Sequence, residues 1–77
     1  MPTVFIFFGY RFYFYSNDHT PIHVHVSKGG SEARYEVEQI KLLENHGFKR
    51  QELSYIEGII EENREVIIER WNEIFGK

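Results

Sequence analysis

Ile22-His23-Val24-His25-Val26-Ser27-Lys28-Gly29-Gly30-Ser31-Glu32-Ala33-Arg34-Tyr35-Glu36 is the stretch from which the rest of the chain can be read. Strand side chains alternate faces, so Val24 and Val26 share one side while His23 and His25 share the other. Lys28-Gly29-Gly30 is a hairpin signal, and Ala33, Tyr35 and Val37 alternate in the same way beyond it. With Gly29-Gly30 as a two-residue turn, Val26 faces Ala33 and Val24 faces Tyr35, so the apolar sets coincide. A slip of one residue would set valines against glutamates, which register logic disfavours. The favoured register places His25 opposite Arg34 and His23 opposite Glu36, within reach across an antiparallel pair.

Upstream, Thr3-Val4-Phe5-Ile6-Phe7-Phe8 and Tyr10-Arg11-Phe12-Tyr13-Phe14-Tyr15 flank Gly9. These β-branched and aromatic runs read as two strands, or as one long strand kinked at the glycine. Tyr10, Phe12 and Phe14 share a face. Arg11, Tyr13 and Tyr15 share the other, which is the one expected to meet water or a ligand. Ser16 to Pro21 is turn chemistry throughout, with Asn17 and Asp18 suited to Asx-turns.

Downstream, Ile40 to Glu44 reads as a short strand or a single helical turn, and Asn45-His46-Gly47 as a turn. From Lys49 the period becomes helical. Leu53, Ile56, Ile59 and Ile60 form one stripe; Ile67, Trp71, Ile74 and Phe75 form another. Two helices are expected, with Asn63 as a candidate cap of the second. The expected fold is therefore α+β, one domain over residues 1–77, with a small antiparallel sheet of three to five strands. Two C-terminal helices pack on one face of that sheet.

Seventy-seven residues lie near the lower limit for autonomous folding. No cysteine is present to staple the core, which fits a reducing cytoplasm. The resource is aromatic: 17% of residues are Phe, Trp or Tyr. So many large rings in so small a core make a homodimer or a protein partner an expectation. The net charge is −3. Arg11, Lys28 and Arg34 against Asp18 and Glu32 leave residues 1–34 at +1, so the remainder carries −4. No clustered basic face is visible, and phosphate attraction cannot be the main source of affinity for RNA. Val4 to Phe8 is too short for a signal peptide's apolar region, and no stretch approaches a membrane span.

Three of the four histidines, His19, His23 and His25, fall within seven residues. Three readings stay open for them. As general acid–base groups, they would form a catalytic set with Glu36, which orients His23, and with Arg34, which meets a developing phosphorane charge. Arg11, Tyr13, Asn17 and Asp18 would then form the adjoining binding surface, with Tyr13 and Tyr15 offering stacking area for bases. That set needs no cofactor. As neutral ligands, His19, His23 and His25 could instead hold a divalent metal such as zinc. As structural groups, they would make cross-strand hydrogen bonds on a solvated sheet face, in a non-catalytic protein-binding module.

The chain resembles the domain of unknown function 4160 family of small bacterial proteins. The resemblance covers nearly the whole length. It rests on Met1-Pro2-Thr3, on Tyr10-Arg11-Phe12-Tyr13, on Asn17-Asp18-His19-x-Pro21-x-His23-x-His25, on Gly30 with Glu32-Ala33, and on Trp71. Two positions depart from the usual pattern: Ile22 stands where a second proline is usual, and Val24 where an aromatic is. The resemblance implies the toxin half of a toxin–antitoxin pair, with a cognate small protein as partner. It implies Asn17, Asp18, His19, Pro21, His23 and His25 as the functional edge, and transfers no catalytic role.

Overall fold

The computed structural model describes residues 3–15 and 19–76; Asn17 and Asp18 lie outside them. Five strands form one antiparallel sheet in sequence order, β1 (Thr3–Phe7), β2 (Tyr10–Tyr13), β3 (His23–Lys28), β4 (Ser31–Glu36) and β5 (Lys41–His46). Helices α1 (Arg50–Glu62) and α2 (Arg64–Phe75) complete the chain. The fold is α+β.

The β3–β4 hairpin has the register expected from the sequence: Val26↔Ala33, His25↔Arg34, Val24↔Tyr35 and His23↔Glu36. Gly29 turns it at φ +61°, a left-handed conformation that a glycine adopts without a steric penalty. The first aromatic run resolves into two strands. Phe8 (φ +50°) and Gly9 (φ +83°) form a two-residue turn closed by the Phe7↔Tyr10 pair. Two consecutive positive φ values match the twist of the flanking strands.

Of residues 40–44, Ile40 is a turn residue at φ +52° and the other four belong to a strand rather than a helical turn, which Asn45 and His46 continue. Ala33↔Asn45 and Glu32↔His46 are ladder pairs, so the expected turn moves to Gly47. Side-chain hydrogen bonds at the strand's end account for the shift. The Asn45 amide both donates to the Phe48 carbonyl and accepts the Phe48 N–H, each at 3.1 Å, tying off the bend after the strand. A Cβ at Gly47 (φ +109°) would come within 2.7 Å of Ser31 Oγ, so no other residue fits there without displacement.

Glu52 accepts the Lys49 backbone N–H at 2.9 Å, one half of a capping box that starts α1. Asn63 holds the N-cap position of α2, where its carbonyl accepts the Ile67 N–H at 2.9 Å, but its side chain does not cap that helix. Its side-chain amide turns back and donates to the Ile59 carbonyl at 2.8 Å, satisfying the C-terminus of α1 instead. The helices cover one sheet face, where Phe12, Phe14, Val24, Val26, Tyr35, Ile56, Ile60 and Ile67 are fully buried. Each such side chain contributes roughly 1.5–3 kcal/mol by leaving water. The Tyr35 hydroxyl donates to the Glu57 carboxylate at 2.8 Å, fixing α1 to the sheet. The last turn of α2 brings Phe75 against Phe14 and Trp71 and leaves Ile74 45% exposed, so Ile74 drops out of the expected stripe. Among the described residues, no helix is long and apolar enough to cross a membrane.

Candidate functional site: a histidine–tyrosine cluster on the outer sheet face

β2 and β3 are paired with Tyr13 opposite His25 and Arg11 opposite Ser27, so the side chains facing away from the helices meet across the two strands. The Tyr13 and His25 rings stack, centroids 5.3 Å apart and planes 21° from parallel. Tyr15 meets His25 edge to face at 4.4 Å, and His23 does so at 5.3 Å. His23 in turn lies 5.4 Å from Trp71 of α2. The Arg11 guanidinium lies over the Tyr13 ring, 4.6 Å from its centre, while its Nε donates to Thr3 Oγ1 at 3.1 Å. A continuous run of π contacts therefore passes from Arg11 through Tyr13, His25 and His23 to the helix layer.

This packing alters the expected picture of a solvated face. Tyr13 is only 3% exposed and His23 only 8%, although both stand on the sheet face opposite Val24 and Val26. His25 is half-buried and Tyr15 exposed. The neighbouring rings exclude water from one another. Burial is the largest cause that pushes the Tyr13 phenol up to about 12, followed by its hydrogen bond with Tyr15. Tyr13 therefore keeps its proton at every physiological pH.

His23 has a defined tautomer. Its Nδ1 lies 2.9 Å from the Pro21 carbonyl oxygen, which can only accept, so Nδ1 carries the hydrogen. In the neutral ring the lone pair is then on Nε2. The Pro-x-His spacing in the sequence was the available signal for this contact. Trp71 is buried, as expected of a core residue, but it is also a wall of the cluster, which no local pattern could indicate.

The other expected site residues are placed around this cluster rather than within it. Arg34 stands beside His25 in the ladder, but its Nε pairs with the Glu44 carboxylate at 3.3 Å, with the geometry of an ion pair rather than a directed hydrogen bond. Glu36 stands opposite His23 and accepts the Gln39 backbone N–H at 3.1 Å. His19 is exposed and lines a cleft of about 420 Å³ with Asn72, Phe75 and Trp71. Asn17 and Asp18 fall outside the described residues. Among the described residues, no group of three or more His, Cys, Asp or Glu is arranged to hold a metal ion.

The fold and the cluster together define a small α+β domain with a histidine–tyrosine face built on the middle of its sheet. The chain belongs to the family described as domain of unknown function DUF4160, whose model matches residues 9–72. That span runs from the β1–β2 turn to the residue after Trp71 and contains every ring of the cluster. No curated protein and no solved structure matches the chain.

Proposed function

We propose that the cluster around His25 is an acid–base site acting on RNA, and that the chain is the toxin half of a bacterial toxin–antitoxin pair, held in check in the cytoplasm by a cognate small protein. The observation that carries this reading is the pairing of a tautomer-fixed imidazole, His23, with a half-buried one, His25, beside the phenols of Tyr13 and Tyr15 and the guanidinium of Arg11. The hydrogen bond to Pro21 fixes the His23 ring, and that ring in turn sets the position of the His25 imidazole packed against it. His23 is too buried to touch a polymer and serves as a positioning residue. His25 is the group that meets substrate.

In this reading the 2′-hydroxyl of a ribose gives its proton to His25, and the 2′ oxygen attacks the adjacent phosphorus. The bond from phosphorus to the 5′ oxygen breaks, and that oxygen takes a proton from the Tyr15 hydroxyl. The products are a 2′,3′-cyclic phosphate and a 5′-hydroxyl end. Arg11 faces the negative charge on the phosphorane, and the exposed Tyr15 ring offers a surface for a base.

One observation favours a non-catalytic protein-binding module instead: the deepest members of the cluster, Tyr13 and His23, are sealed from solvent as in a structural core. Expression of the protein alone separates the two. The acid–base reading expects growth arrest that His25→Gln relieves while the variant accumulates and folds normally. Absence of arrest, or arrest unchanged by His25→Gln, would sink it.

A further inference from the structure

Trp71 belongs to two sites at once. Its ring lies 5.4 Å from His23 in the histidine–tyrosine cluster, and it also lines the cleft of about 420 Å³ at the end of α2. Two ring contacts, of 5.3 and 5.4 Å, connect His25 to this wall through His23. Both sides of the cleft are fixed by hydrogen bonds. On the loop side, the Pro21 carbonyl accepts from His23 Nδ1 at 2.9 Å and the Ile22 carbonyl accepts the Val37 N–H at 3.0 Å. On the helix side, the Asn72 carbonyl accepts the Gly76 N–H at 2.9 Å, and Trp71 and Phe75 brace each other with centroids 4.4 Å apart. Walls that need no ordering on binding lose little affinity to entropy.

The lining selects an uncharged, planar guest. Among the described residues, no lysine or arginine lines the cleft, so it does not draw in a phosphate. Phe75 and Ile22, each partly exposed, supply apolar surface, and the exposed Asn72 supplies an amide beside it. That amide carries a donor and an acceptor side by side, the pair that matches the N6 and N7 edge of adenine. An apolar surface for the face of a base, next to polar groups for its edge, is what reading an unpaired base requires. The volume lies within the range of roughly 300–1,000 Å³ usual for small-molecule sites.

We propose that this cleft is the base pocket of the acid–base site, holding an unpaired adenine next to the phosphodiester at His25. The inference rests on the RNA reading above and adds a sequence preference to it. Phe75 and Ile22 take the face of the base, and the Asn72 side chain reads its edge. Trp71, 3% exposed, is the fixed wall that the pocket shares with the histidines.

Trp71 is the chain's single tryptophan, so its fluorescence reports the pocket directly. The probes are short oligonucleotides of 2′-O-methyl adenosine and of 2′-O-methyl uridine. They lack the 2′-hydroxyl proton and stay uncut whatever the protein does to RNA. The wild type should bind the adenosine probe at least about tenfold more tightly than the uridine probe, with a saturable change in Trp71 emission. Asn72→Ala, a change that favours the helix, should abolish the preference with an unchanged far-UV circular dichroism spectrum. No saturable change, equal binding of the two probes by the wild type, or a preference that survives Asn72→Ala would overturn the pocket. The result is independent of cleavage. A protein that leaves RNA intact yet shows the Asn72-dependent preference refutes the acid–base reading and keeps the pocket; one that cuts RNA without the preference refutes the pocket alone.

Discussion

Val24 and His25 are neighbours on one strand, and each ends up shielded from water by a different means. Val24 faces the helices and is sealed by Phe12, Tyr35 and the isoleucines of α1 and α2. His25 faces away from them and is shielded by rings from its own sheet, with Trp71 closing one end. The helix-covered face is held by area removed from water. The outer face is held by stacking geometry, and it retains hydroxyls, imidazoles and a guanidinium that a core would exclude. A sheet that needed only solubility would leave such groups hydrated. The difference marks the outer face as the place to look for activity.

The comparison is broken most severely from the inner side. Phe12→Ala removes a fully buried ring and is expected to cost about 3–5 kcal/mol, read as a lowered denaturation midpoint. Tyr35→Phe keeps the ring and removes only the hydroxyl that ties the sheet to Glu57. A loss of about 1–2 kcal/mol is expected. A loss as large as that of Phe12→Ala would show that the hydroxyl, rather than the apolar area, governs that face.

On the outer face the expected effects are smaller and depend on pH. Because the folded chain holds the Tyr13 proton more tightly than the unfolded chain, whose phenol titrates near 10.0, the associated stability is fully present below pH 10. It is lost as the pH rises through about 12. Denaturation midpoints measured on either side of pH 10 should fall less steeply for Tyr13→Phe than for the wild type. His25→Gln should change stability by less than about 1 kcal/mol at neutral pH, since the residue is only half-buried. A larger loss would make His25 a structural residue and erase the distinction between the two faces.

Much of this was legible in the sequence, for reasons that can be named. The β3–β4 register came from Gly29-Gly30 and the alternation of valines, because one buried face penalises every slip. The inward set Phe12, Phe14, Val24, Val26 and Tyr35 came from the same alternation. Features that were not legible depend on partners distant in the chain. The extent of β5 is set by pairing with Glu32 and Ala33, and the side chain of Asn63 by an orphan carbonyl of α1. The site shows the same division. His23 and His25 were visible as a pair, and Arg11 and Tyr13 as their neighbours. That Arg34 turns to Glu44, and that the rings bury Tyr13 and His23, depends on contacts no local pattern encodes.

The most direct test of the outer face as an acid–base site is the chemistry of RNA ends after incubation with the purified protein. The wild type should release fragments ending in 2′,3′-cyclic phosphate and beginning with 5′-hydroxyl. His25→Gln, with an unchanged denaturation midpoint, should release them at least about a hundredfold more slowly. RNA left intact by the wild type, or cleaved equally well by His25→Gln, would contradict the proposal.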